Sequence, residues 1–387
     1  MNNVASQINK SNELYLLGNH KAAIEVLRKL LVSNPSDYDV LVNLGANYRA
    51  INKPYEAMDY FLKAIKEEPK KATAYNNLGN ILNQLKRYEE AVDSYVKAIR
   101  IDPSIKHVHH NLGGVLYKLN FFDEAIKIYQ SAKDRSADSE ILQCILGKKD
   151  YDKFFDEVRY LSNKTSQVKV AAISSYASEK LGVKDPYNFC PNPLDSIMYK
   201  KIDKQEFTNN KIIKELVNIG NDIGSSKRYQ SLIKNGQQSS DNFFEKNGKL
   251  GQQFFKYVFK LTEDYKNLFI DNRLSGIIKH WPRNPKMNGW FISMKNEGFL
   301  ENHNHSEGWV SGSIYLKIPN NLKNNEGDIK FSSFSKDYPE INNKVLSSKT
   351  LTLETGGIII FPSSLYHSTI PFESNEKRIT FAFDLNP

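Results

Sequence analysis

Cysteine is nearly absent from this 387-residue chain: Cys144 and Cys190 are the only two. Two thiols exclude a disulfide framework and a cysteine-rich zinc module. No apolar run approaches the roughly 18 residues that a membrane span needs. The first residues, MNNVASQINKSNELY, lack the apolar core of a secretory signal. Charge of one sign is also sparse. Lys+Arg 53 against Asp+Glu 44 leaves +9, with charged residues at 25% and hydrophobic residues at 40%, so a wholly disordered chain is excluded. The excess is local. Residues 1–163 carry 23 basic and 21 acidic side chains, residues 164–280 carry 19 and 12, and residues 281–387 carry 11 and 11. The basic middle third mixes its lysines with acids, whereas phosphate-backbone binding needs basic side chains gathered on one face. The expectation is a soluble, reduced, cytoplasmic protein of two or three domains, with neither nucleic acid nor membrane as partner.

What is present first is a repeat. Pro35, Pro69 and Pro103 recur at one spacing, as do Gly45, Gly79 and Gly113 (each in NLG) and Ala23, Ala57, Ala91 and Ala125. The common period of about 34 residues is that of the tetratricopeptide (TPR) repeat, a pair of antiparallel helices. Small glycines and alanines let the paired helices approach, and each proline stops a second helix. Gly147 marks a shortened, degenerate last repeat, placing an α-solenoid over residues 1–163. Asn43, Asn77 and Asn111 occupy one repeat position on the concave face. Their amides resemble the asparagine ladder of the TPR superhelix in O-GlcNAc transferases, which implies sequence-tolerant binding of a protein or peptide partner. Asparagine before Leu-Gly is also common in TPRs for structural reasons, and both readings stay open.

Residues 164–280 lack the period and read as a helical linker or support region. AAISSYASEKLG, NNKIIKELVNIGNDI and LGQQFFKYVFKLTEDYKNLF are helical in pattern, FCPNPLD is a break, and NGQQSSDNFF reads as a loop. From Trp281 the pattern becomes β. NGWFISM, WVSGSIYLKIP, GDIKFSSF, KTLTLE, GGIIIFP and KRITFAFDLN are short strands separated by Gly, Pro and Asn, suggesting a jelly roll over residues 281–387. His303 and His305, at i and i+2, project to one face of an extended segment. His367 follows a separate strand by a short turn. Two ligands from one strand end and one from another strand can build an open facial metal site. Arg378 lies eleven residues beyond His367 in an apolar strand, where an unpaired inward charge calls for an anionic ligand.

These residues resemble a known family. HNHSEGWVSGSIYL, FPSSLYHSTIP and KRITFAF are similar to the 2-oxoglutarate- and Fe(II)-dependent oxygenases, in particular to a group carrying H-x-H and attached to TPR arrays. The resemblance covers roughly residues 285–387 and implies a double-stranded β-helix (jelly roll). It implies Fe(II) and the cosubstrate 2-oxoglutarate, His303 and His367 as metal ligands, Arg378 as the partner of the distal carboxylate, and Tyr315 hydrogen-bonding that carboxylate. The activity implied is dioxygenase hydroxylation of a substrate recruited by the TPR groove. The chain departs from the wider family at His305, where that family has Asp or Glu. A second register takes Glu307 as the carboxylate ligand. A three-histidine site would also accept zinc, or serve a dioxygenase that uses no 2-oxoglutarate, and a TPR scaffold with a degenerate barrel is the non-enzymatic alternative.

Overall fold

The structure is a computed structural model describing residues 2–105, 107–132, 137–164, 166–203, 205, 207, 210–223, 227–228, 232–271 and 275–387. The chain divides into two compact units, Met1–Asp150 and Tyr151–Pro387.

The first unit is a helical array: α1 (Asn2–Leu16), α2 (His20–Ser33), α3 (Tyr38–Ala50), α4 (Pro54–Glu67), α5 (Ala72–Gln84), α6 (Tyr88–Ile101), α7 (Val108–Lys118), α8 (Phe122–Ser131) and α9 (Asp138–Gly147). Each repeat pairs an odd helix with the even helix that follows. Ala23, Ala57, Ala91 and Ala125 are wholly buried at the pair interfaces. The repeat glycines meet aromatic rings. A Cβ on Gly45 would stand 2.5 Å from the Phe61 ring, on Gly79 2.7 Å from Tyr95 and on Gly113 2.6 Å from Tyr129. Ring and glycine recur together in the pairs α3–α4, α5–α6 and α7–α8, so these three repeats close on the same lock, whereas α1 and α2 carry Ser11 and Leu27 at those positions. The turn inside each pair is equally periodic. Gly18, Asn52, Lys86 and Asn120 all adopt positive φ, between 57° and 72°. That left-handed residue lets the chain reverse while the next amides close back on the helix end, as in Lys53 N–H to the Tyr48 carbonyl at 2.9 Å.

The second unit opens with α10 (Tyr151–Ser162) and α11 (Val168–Leu181), followed by β1 (Met198–Lys201), α12 (Lys211–Asn221), β2 (Lys227–Arg228), β3 (Ile233–Ser239), α13 (Phe243–Lys246), α14 (Gly248–Leu268) and α15 (Gly276–Lys279). Then come β4 (Lys286–Leu300), β5 (Val310–Lys317), β6 (Ile329–Ser332), β7 (Ser348–Leu351), β8 (Gly357–Pro362), β9 (Tyr366–Thr369) and β10 (Arg378–Asn386). A large sheet has the order β1-β8-β5-β10-β4-β3-β2 and a small one β7-β6-β9, with antiparallel pairing throughout. From β4 the chain alternates between them: β4 large, the His303 segment against β9, β5 large, β6 and β7 small, β8 large, β9 small, β10 large. This is the winding of a double-stranded β-helix, the jelly roll expected from the strand pattern.

The bridge is more than helical. It supplies β1, β2 and β3 to the large sheet, and most of NGQQSSDNFF lies in β3 or in α13 rather than in a loop. Polar composition hid β3, an Ile-Lys-Asn-Gly-Gln-Gln-Ser segment whose only buried residue is Ile233, because a strand near a sheet edge needs little apolar surface. Its register against β4 also shifts between Lys234 and Gly236. The helices of the bridge back the large sheet. Phe254 of α14 packs edge-on to Phe381 of β10 at 4.8 Å, and Phe243 meets Phe291 of β4 at 5.2 Å. FCPNPLD is tied to the barrel as well. Phe189 packs on Trp309 at 4.9 Å, and the buried Cys190, its thiol pushed up to about 12 by burial, sits 3.2 Å from the Ser196 hydroxyl.

Candidate active site

His303 stands just beyond the end of β4, and its backbone pairs with that of His367 on β9. Its N–H donates to the His367 carbonyl at 3.0 Å and the His367 N–H returns to the His303 carbonyl at 2.8 Å. Directly opposed residues in an antiparallel pair place their side chains on the same face, and the two rings lie 4.3 Å apart. His305, two residues on, shares that face. Its ring is 5.1 Å from His303 and 5.2 Å from His367. One ligand atom from each ring lies within 4.8 Å of the others. Glu307 is exposed and outside this cluster, although it lines the same cavity.

The hydrogen bonds set the tautomers. His303 Nδ1 lies 2.8 Å from the Glu301 carbonyl, which can only accept, so Nδ1 carries the proton and Nε2 keeps its lone pair. His305 Nδ1 lies 2.7 Å from Asp384 Oδ1, with the same result. The His367 ring is buried beside Phe361 at 4.9 Å and Phe331 at 5.9 Å, and its Nδ1 is buried without a partner among the described residues. Burial, with His305 nearby, holds His303 down at about 4. Burial and the two neighbouring rings hold His367 well below the ordinary range. For His305 burial also lowers the pKa, but the charge and hydrogen bond of Asp384 outweigh it and the net direction is up. Two neutral imidazoles and one carboxylate-backed imidazole form a donor set that fits a divalent metal.

Arg378 opens β10 and is 2% exposed. Its Nη1 donates to the Gly327 carbonyl at 2.7 Å, and its guanidinium lies 5.4 Å from the centre of the Tyr315 ring. Its Nε is buried without a partner among the described residues. Burial lowers its pKa, which Tyr315 and the buried Asp328 oppose. No carboxylate lies within ion-pair distance of Arg378 among the described residues. Tyr315, on β5, is also buried, which pushes its hydroxyl up to about 12 despite Arg378 nearby. An unpaired cation and an orphaned N–H facing a cavity are what an anionic ligand would satisfy.

The histidines, Arg378 and Tyr315 line one cavity of about 740 Å³. Arg378, Thr380, Ala382 and Asp384 alternate along one face of β10 and all border it, and Trp290 stacks on His305 at 5.9 Å. Asp384, Ser311, Ser363 and Trp290 were not singled out in the sequence. The signal for Asp384 was present: it lies an even number of residues from Arg378 on a strand, hence on the same face.

In the first unit, Asn43, Asn77 and Asn111 sit half-buried on α3, α5 and α7. The Asn111 amide donates to Asn80 Oδ1 at 3.1 Å and approaches Asn76 Oδ1 at 3.4 Å, linking adjacent repeats. His110 is buried and meets the Tyr129 ring edge-on at 5.9 Å.

Residues 288–384 match the family model described as "Putative 2OG-Fe(II) oxygenase", and residues 38–71 and 72–105 match tetratricopeptide repeat models. No curated protein matches the chain. Among solved structures, MamA is 24% identical over 38% of this chain and 91% of its own, with a TM-score of 0.35. Pseudomonas aeruginosa PilF is 21% identical over 54% and 97%, with a TM-score of 0.40. The first TPR of Spaghetti (RPAP3), solved bound to an HSP90 peptide, is 20% identical over 30% and 91%, with a TM-score of 0.29. The chain thus carries two matches to tetratricopeptide repeat models in its first unit and, near its C-terminal end, a match to the model described as "Putative 2OG-Fe(II) oxygenase".

Proposed function

We propose that this protein is an Fe(II)- and 2-oxoglutarate-dependent dioxygenase that hydroxylates a protein or peptide recruited by its TPR groove. The observation that carries the reading is one cavity holding both a cluster of three histidines and a buried arginine with no carboxylate partner. Bound Fe(II) with 2-oxoglutarate supplies oxygen activation and C–H hydroxylation. His303, His305 and His367 would hold the metal, each through the ring nitrogen turned to the cluster. Three side-chain ligands leave coordination positions for the cosubstrate. Arg378 would pair with the distal carboxylate of 2-oxoglutarate, adding a charge-assisted bond that its Nε lacks. Tyr315 keeps its proton well above neutral pH and so can donate to the same carboxylate. The apolar walls around His367 exclude water from the metal side.

In the groove, Asn43 and Asn77 are proposed to present their amides to an extended peptide backbone, and Asn111, whose side-chain N–H groups already bond Asn80 and Asn76, its side-chain oxygen. The test is succinate formation by the full chain supplied with Fe(II) and 2-oxoglutarate. His367→Ala should abolish it, and turnover that persists in that variant would sink the site. Peptide capture that survives Asn43→Ala/Asn77→Ala would remove the groove assignment.

A further inference from the structure

We infer that Asp384 is a positioning residue that gives this three-histidine site the negative charge that an aspartate or glutamate ligand would otherwise supply. The inference rests on the metal-centre reading above and deepens it. Three imidazoles alone leave a divalent ion with its full charge. Asp384 lies one bond further out, its Oδ1 2.7 Å from His305 Nδ1, and both side chains are about 15% exposed. A carboxylate accepting from a ligand imidazole fixes the ring's tautomer and orientation and strengthens its donor nitrogen.

The carboxylate is itself held. Ser311, its cross-strand partner on β5, donates to Oδ1 at 2.6 Å, and the Ser311 and Ser363 hydroxyls are 2.7 Å apart. Ser363 also accepts the His305 N–H on its carbonyl at 3.3 Å, so the turn between β8 and β9 grips the ligand and its carboxylate together. Gly308 permits the closeness. A Cβ there would stand 2.7 Å from Ser363 Oγ and 3.4 Å from Asp384 Cγ. No Lys or Arg pairs with Asp384 among the described residues, so its recorded ionic partner is His305.

Co(II) binding to the full-length chain, followed by visible absorption and by competition for affinity, tests this without turnover. Asp384→Asn preserves shape and removes the charge. It should weaken Co(II) binding by about 10–100-fold and move the ligand-field bands to longer wavelength, as a weaker His305 donor requires. Ser311→Ala keeps the carboxylate but frees it, and should weaken binding by about two- to tenfold, the worth of one hydrogen bond. It also serves if Asp384→Asn does not fold, since wild-type affinity and band position in a folded Ser311→Ala would then overturn the inference. Wild-type affinity and band position in folded Asp384→Asn would overturn the role of Asp384 alone. Failure of the unmutated chain to bind Co(II) would overturn the metal centre itself, and with it this inference.

Discussion

Arg378→Met separates an arginine held for a ligand from one that holds the fold. The substitution keeps most of the side-chain volume, removes the buried charge and loses the 2.7 Å bond to the Gly327 carbonyl. That bond, charge-assisted, contributes about 1.5–3 kcal/mol. Relieving a buried charge with no carboxylate within ion-pair reach is worth about 1–4 kcal/mol in the opposite direction. The two nearly cancel, so the ligand-free variant should unfold within about 2 kcal/mol of the parent. All three tryptophans, Trp281, Trp290 and Trp309, lie in Tyr151–Pro387, so tryptophan emission follows this unit alone. For a unit of this size 1 kcal/mol moves Tm by about 2–4 °C. With Mn(II) as a redox-inert metal, 2-oxoglutarate at about 100 times its Kd should stabilise the parent by about 2.7 kcal/mol, a rise of about 5–11 °C. Two charge-assisted bonds lost to the distal carboxylate amount to about 3–6 kcal/mol, or about 10²–10⁴-fold in affinity. At the same concentrations the variant should keep at most about 0.4 kcal/mol of that stabilisation, a rise of no more than about 2 °C. A variant that is strongly destabilised without ligand yet keeps the full rise would refute the reasoning and make Arg378 structural.

Tyr315→Phe should weaken 2-oxoglutarate binding about fivefold, the worth of about 1 kcal/mol for one hydrogen bond, and leave metal affinity intact. Because burial pushes the Tyr315 hydroxyl up to about 12, its contribution should persist undiminished to about pH 10 in a binding titration. Gly79→Ala places a methyl 2.7 Å from the Tyr95 ring and should destabilise the first unit by about 1–3 kcal/mol. Circular dichroism should record that loss, while the tryptophan transition stays unmoved. Burial pushes the thiols of Cys144 and Cys190 up to about 12 and keeps both protonated and shielded at pH 8. Iodoacetamide should label neither in the native protein and both in urea.

Much of this was legible because it is periodic. The spacing of Gly45, Gly79 and Gly113 identified the helical pairs, though not the aromatic rings that face them. Phe61, Tyr95 and Tyr129 share the period but differ in type, which weakens the pattern to the eye. The convergence of His303 and His305 followed from strand alternation. The nearness of His367 was expected of a jelly roll, but its direct backbone pairing with His303 depends on sheet-to-sheet winding that no local pattern encodes. Asp384 was missed for a related reason. Its partners Ser311 and Ser363 are distant in sequence and ordinary in type, and only the registers of β5 and β8 bring them together. The strands of the bridge were hidden by polar composition. Met198–Lys201 buries one residue in four, less than a sequence pattern needs to declare a strand.

The two-residue bridge between His303 and His367 has a consequence for order. Its reciprocal amide bonds draw the chain after β4 onto the edge strand β9, beside the bond that the Leu300 N–H donates to the Thr369 hydroxyl at 2.7 Å. An ion shared by the two side chains would hold the same two backbones together. Closing the mouth of the barrel and loading it would then be a single equilibrium seen from opposite ends. Deuterium uptake at the amides of His303 and His367 should therefore slow in step with occupancy, turning two backbone hydrogens into a gauge of metal content.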